Sequence, residues 1–317
     1  MIWRGSMEYP LWACETLSKA LIAALLCFIA AATDATAQDL EPRAYSAAPV
    51  GTHFLVAAWG RSSGDVLVDT AAPVQDVEAT TNLATLGAGT TFSLFGRTAL
   101  LLGAFPYAWS SVSGRIGETA ASVTRSGLAD PRIKLSVNFL GGRALKRSEF
   151  AGAERRTIVG ASFTMAPPLG QYDPAKLVNL GANRWSFKPE VGISHAINKW
   201  TIDGYAGVWL FTTNDSYYTG SSVREQDPIY AVQAHGSYTF KPRLWVAFDA
   251  TGYSGGTATV NGVRQGNLQR NTRIGATLSL PLAQRQSVKA SITKGATTRA
   301  GSNFTTVSAA WQVSWSN

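Results

Sequence analysis

Apolar and polar residues alternate one by one over long stretches of this chain, and that pattern restricts what it can fold into. In Arg132–Leu140, Ile133, Leu135, Val137 and Phe139 alternate with Arg132, Lys134, Ser136 and Asn138. The same period runs through Tyr230–Phe240 and Thr272–Leu280, and Phe187, Val191 and Ile193 alternate with Lys188, Glu190 and Ser194. A period of two places each set on its own face of a β-strand. It predicts strands near 52–60, 78–93, 98–112, 126–140, 157–167, 186–197, 199–213, 226–240, 244–255, 268–281, 286–295 and 303–315.

The spacing of these segments is equally restrictive. Leu94–Arg97, Asn198, Lys241–Arg243 and Leu282–Arg285 are short connections. Arg61–Val77, Ser113–Arg125, Pro168–Trp185, Asn214–Glu225 and Ser254–Asn267 are long. Short turns at one end and long loops at the other define a transmembrane β-barrel, with the short turns on the periplasmic side. Gly141–Arg156 departs from the rule. It is predicted as a small amphipathic helix carrying Arg143, Lys146, Arg147, Arg155 and Arg156. The expected fold is therefore all-β: a transmembrane antiparallel up-and-down barrel of about 12 strands, both termini periplasmic.

Composition excludes the competing classes. Charged residues make up only 15% of the 317, against 10 Trp and 30 Gly, well below the roughly 25% charge of a soluble domain. A helical bundle has no candidate span. Thr98–Gly114 comes nearest and contains Pro106 and several Ser. Aromatics fall where a barrel meets the two membrane interfaces. Trp200, Tyr238, Phe240, Trp311 and Trp315 lie at short-turn ends, and Tyr107, Trp109 and Tyr230 at long-loop ends, all in the outward phase. Trp245 is the exception, since it shares a face with Asp249.

The first 37 residues read as a cleaved signal peptide, with an apolar stretch Ala20–Ala32 closing on Ala35-Thr36-Ala37. Residues 38–317 are the barrel domain. Either Met1 or Met7 can serve as the start. Cleavage removes Cys14 and Cys27, the only cysteines; Leu26 ahead of Cys27 argues against lipidation. Lys+Arg outnumber Asp+Glu 28 to 20. The bases are dispersed and form no nucleic-acid motif, so the excess is assigned to an anionic lipopolysaccharide leaflet or an anion-favouring lumen. His53, His195 and His235 are isolated, which gives no metal site and no cofactor.

The charges expected to face the lumen are the functional candidates: Arg132, Lys134, Lys188, Glu190, Asp203, His235, Asp249, Arg273 and Lys289. They either line a channel or fill the barrel as a salt-bridge network. The loop residues Gln171, Tyr172 and Asp173 follow Pro167-Pro168-Leu169-Gly170 and fold over the mouth, into the lumen, or on the surface. His235 and Ser237 share a face, as the pair in a barrel phospholipase does. Their phase is the lumen, however, where no lipid substrate reaches.

Several stretches carry a resemblance when taken together: Leu40-Glu41-Pro42-Arg43-Ala44-Tyr45 with Ala48–Thr52, Ser126–Arg132, Ala166–Asp173, Asn183–Glu190 and Asp227-Pro228. They resemble one family of outer-membrane barrels, named for the MetA-pathway of phenol degradation. The resemblance implies a channel that moves aromatic or other hydrophobic compounds across the outer membrane, and it brings no catalytic residues. The expected partners are outer-membrane lipid and lipopolysaccharide, a small hydrophobic or aromatic solute, and the barrel assembly machinery. That machinery reads a terminal aromatic, and here Trp315 is followed by Ser316-Asn317. The other readings are a lipid-acting hydrolase at Ser237 and His235, and a structural or adhesive barrel.

Overall fold

The structure is a computed structural model that describes residues 41–67, 75–116, 118–150, 152, 157–176 and 178–316. The signal-peptide reading of residues 1–37, and Arg155 and Arg156 of the expected helix, lie outside the described residues.

Twelve antiparallel strands close on themselves. In chain order they are β1 (Thr52–Leu67), β2 (Gln75–Leu94), β3 (Arg97–Ile116), a strand in two parts formed by β4 (Thr119–Leu128) and β5 (Arg132–Leu140), β6 (Ile158–Ala166), β7 (Ser186–Ile197) and β8 (Trp200–Phe211). Four further strands intervene outside the ring: β9 (Asn214–Tyr217), β10 (Ser222–Gln226), β13 (Ala258–Val260) and β14 (Val263–Arg264). The ring continues with β11 (Ile229–Lys241), β12 (Leu244–Gly255), β15 (Gln269–Ala283), β16 (Gln286–Thr297) and β17 (Gly301–Ser316). Pairing of β1 with β17, from Thr52↔Ser316 to Leu67↔Gly301, closes the ring. No helix among the described residues is long and apolar enough to cross a membrane; the barrel crosses with strands, so no backbone donor is stranded in lipid.

All twelve expected strands are present. Where the expectations fail, the chain makes more strand or less helix. Arg61–Val77 and Ser113–Arg125 are not open loops. Their hairpins continue as ladder to Asp65↔Glu78 and Ile116↔Thr119, because Thr, Ser and Val along them suit a pleated surface. Asn214–Glu225 and Ser254–Asn267 contribute β9, β10, β13 and β14, a small sheet at the long-loop end. Among its described residues Gly141–Arg156 shows a single turn of helix, α1 (Arg147–Phe150); the Thr98 backbone N–H and Oγ1 donate to the Gly142 and Arg143 carbonyls and keep that stretch extended.

The outward phase is apolar as read. Leu86, Phe105, Val191, Tyr230, Val232, Phe248 and Ile274 are all more than half exposed, as lipid-facing side chains must be. At the short-turn end Trp200 packs edge-on to Tyr238 at 5.1 Å, and Tyr238 to Phe240 at 5.1 Å. Tyr107 and Trp109 form the opposite belt, 4.8 Å apart. The β3–β4 hairpin continues well beyond that belt, so the barrel wall rises above the membrane. Phe95 and Gly96 both take positive φ (51° and 74°), the twisted two-residue turn that suits adjacent strands.

Candidate functional site: a plugged, two-sided lumen

The segment ahead of β1 turns back into the barrel. Tyr45 is 1% exposed. Its hydroxyl donates to the Glu190 carboxylate at 3.1 Å and lies 3.0 Å from Ser162 Oγ. The seat for its ring is built by omission. Gly160 on β6 and Gly192 on β7 are cross-strand partners. A Cβ on either would come within 2.4 Å and 2.3 Å of the Tyr45 ring. Tyr205 closes the seat edge-on at 5.2 Å and accepts the Ala44 N–H through its hydroxyl oxygen at 3.0 Å.

Arg43 anchors the other side of the segment. Its Nε donates to Ser237 Oγ at 2.8 Å, its Nη2 to Thr239 Oγ1 at 2.7 Å, and its backbone N–H to Asp203 Oδ2 at 3.3 Å. The guanidinium lies 4.6 Å above the Trp245 ring, which explains why Trp245 faces inward. Glu41 pairs with Lys134 at 2.5 Å, and that ammonium holds the Glu41 carboxyl down at about 2, from an ordinary value of 4.5. Burial pushes the Tyr45 phenol above its ordinary range. Thr91 Oγ1 and the Leu145 carbonyl fasten the segment's exit at Pro49 and Val50.

The eight charged candidates and His235 all lie in the lumen phase of their strands, most of them on the wall that carries the plug. Lys188 pairs with Glu190 at 2.6 Å. Arg132 and Lys188 lie 5.9 Å and 5.8 Å over the Trp209 ring. His235 Nδ1 meets Asp249 Oδ1 at 2.7 Å, and Thr277 donates to the second Asp249 oxygen at 2.9 Å. Arg273 Nη2 donates to Thr293 Oγ1 and the Phe304 carbonyl. Lys289 stays exposed within the lumen, 5.9 Å over the Trp245 ring.

The opposite wall is different in chemistry. Phe54, Val56 and Ala58 of β1 face inward and register with Gly89, Gly87 and Thr85 of β2. These register in turn with Leu102, Ala104 and Pro106 of β3. The Phe54 ring lies over Gly89, where a Cβ would come within 2.3 Å of it. One side of the lumen is therefore a polar wall bearing the plug, and the other is an apolar strip.

The long-loop end is covered from a third direction. Gln171 N–H donates to the Leu128 carbonyl, Gly170 N–H to Asp130 Oδ1, and Tyr172 hydroxyl to the Ser216 carbonyl. Further along this loop Val178, 4% exposed, packs with Val66, Val77, Ala79, Val112 and Phe304. Those five point inward from β1, β2, β3 and β17, so the loop crosses the mouth. Asp173 pairs with Lys176 at 2.8 Å, which lowers its carboxyl.

The phospholipase-like arrangement does not assemble. Ser237 Oγ takes the Arg43 hydrogen bond and lies 3.4 Å from the Thr201 carbonyl. His235 Nε2 has no hydrogen-bond partner, and both side chains are buried in the lumen. Among the described residues no three of His, Cys, Asp and Glu converge on a point that could hold a metal ion.

Ladder, girdles and a lumen with its charges gathered on one wall define a twelve-stranded barrel of the outer-membrane type. The chain belongs to the family described as "Putative MetA-pathway of phenol degradation", whose model matches residues 59–313. An outer membrane channel from Pseudomonas putida F1 shares the fold, with a TM-score of 0.72, 21% identity, and coverage of 87% of this chain and 100% of that one. The transport unit of the autotransporter AIDA-I from Escherichia coli is more distant, with a TM-score of 0.52, 12% identity, and coverage of 94% and 98%. No curated protein matches the chain.

Proposed function

We propose that this chain is a passive outer-membrane channel for small apolar or aromatic solutes, gated by its N-terminal segment, and not an enzyme. The observation that carries the reading is the two-sided lumen. A water-filled pore for polar solutes has a polar interior, whereas Phe54, Val56, Ala58, Leu102 and Ala104 make an apolar strip on the wall that faces the plug. The lumen charges on the other wall then hold the plug rather than select the solute. Their partners Glu41, Arg43 and Tyr45 are main supports of this view. Family membership supports the solute class. The engagement of Ser237 with Arg43, and of His235 with Asp249, weighs against lipid hydrolysis. Export by the leader at residues 1–37, assembly read from Trp315, and contact of the girdles with lipid and lipopolysaccharide belong to the same proposal.

The test is entry of an apolar dye such as phenylnaphthylamine into intact cells, whose lipopolysaccharide leaflet excludes it. Expression of the chain should speed fluorescence onset, and Ala58→Lys, which sets a charge in the apolar strip, should abolish the gain. Equal rates for cells with and without the chain would sink the proposal.

A further inference from the structure

The short-turn end carries a concentration of positive charge that neither the plug nor the lumen uses. Lys146, Arg147, Lys199, Lys241, Arg243 and Arg285 are all exposed there. Glu149 is the one carboxylate among the described residues of these turns, and it accepts the backbone N–H of Lys146. At the long-loop end, by contrast, charges pair across the surface as Arg115–Asp76, Lys176–Asp173 and Arg264–Asp227.

The height of these bases is set by their neighbours in sequence. Lys199 precedes Trp200 and Lys241 follows Phe240, both members of the girdle. Arg285 accepts the Ser314 N–H through its carbonyl, next to Trp315, and Arg147 Nη1 donates to Ser316 Oγ at 3.0 Å. Arg243 Nη1 lies along the rim, 3.1 Å from the Ala283 carbonyl of the next turn. Girdle aromatics sit at the headgroup boundary, so bases one residue further out stand level with lipid phosphates. Turns this short cannot lift them into the aqueous space, where a soluble partner would dock.

We propose that this rim is a binding collar for anionic glycerophospholipid headgroups, such as phosphatidylglycerol, of the periplasmic leaflet. Bases at a membrane surface each favour an anionic lipid through Coulomb attraction screened over a Debye length. Four of the five connections at this end supply at least one, so the collar would recruit anionic lipid around most of the circumference. It would also oppose tilting or withdrawal of the barrel from that leaflet.

The experiment is energy transfer from the protein's tryptophans to pyrene-labelled phosphatidylglycerol or phosphatidylcholine in mixed bilayers containing the full chain. The wild type should prefer phosphatidylglycerol about fivefold, and high salt should suppress the preference. A Lys199→Gln, Lys241→Gln, Arg285→Gln variant should lose it, while Lys176→Gln, Arg264→Gln, Arg270→Gln at the opposite end should keep it. Heat-modifiable mobility on electrophoresis establishes that each variant is folded, and the salt response of the wild type tests the idea without any variant. Equal association of the two lipids with the wild type, or an unchanged preference in the first variant, overturns the proposal. Either result would leave an acidic periplasmic protein as the occupant to consider.

Discussion

Arg43→Ala removes the strongest anchor of the plug and leaves the barrel ladder intact. Two side-chain hydrogen bonds are lost, 2.8 Å to Ser237 and 2.7 Å to Thr239, worth about 1 kcal/mol each in net terms. The stacking over Trp245 at 4.6 Å adds about 1 kcal/mol. Docking of the segment is thereby weakened by about 3 kcal/mol, which shifts its equilibrium about 150-fold toward the undocked state. The strand ladder itself should stay closed, since none of its pairings involves Arg43; melting should fall by no more than the lost docking energy. In single-channel recordings across a planar bilayer, the variant should spend far more time in a high-conductance state that the wild type visits rarely. A conductance histogram indistinguishable from wild type would refute the idea that this segment obstructs the path.

Other perturbations test separate parts of the same picture. Gly160→Leu fills the seat of the Tyr45 ring, whose edge lies 2.4 Å from the position of a Cβ there, and should raise conductance as Arg43→Ala does although every polar partner remains. The Glu41 carboxyl, depressed to about 2 by Lys134, favours docking fully above about pH 4.5. Channel opening should therefore increase as pH falls from 4.5 toward 2, and Glu41→Gln should flatten that profile. Val178→Asp buries a carboxylate among Val66, Val112 and Phe304; the mouth loop should become cleavable by protease added to intact cells, with the barrel still heat-modifiable. Ser237→Ala should leave phospholipid hydrolysis by the purified protein at background, the same as wild type; a loss of measurable hydrolysis would revive the enzyme reading.

The strands were legible because one rule governs every position in them. A residue that is not lipid-compatible in the outward phase costs energy wherever it falls, so Leu135, Val232 and Ile274 had little freedom. The lumen was legible only in phase. Sequence puts Glu190, Asp203 and Asp249 inside, but not which of them meets which partner, since that depends on registers of strands far apart in the chain. The plug was missed for the same reason. Glu41, Arg43 and Tyr45 precede the first strand and have no periodicity to report their place. Two signals pointed to it: a lumen rich in charge that needed partners, and Trp245 facing inward. Glycines in the inward phase at 160 and 192 offered a third, a gap in the wall with something to fill it. The mouth loop was undecidable because Val178 gains its burial from β1, β2, β3 and β17, none of which adjoins the loop in sequence.

The position of the plug in the chain has a consequence for the order of assembly. Arg43 reaches Ser237 across 194 residues and Thr239 across 196, and Tyr45 reaches Ser162 across 117. With the Glu41–Lys134 pair included, its docking site is a surface shared by six strands, and that surface is not complete until they are side by side. The residues that lead the barrel domain in the chain are thus among the last to find their place. A half-assembled barrel has nothing for Arg43 and Tyr45 to hold, so a seated segment marks a finished wall, and docking is possible only on a barrel that is complete.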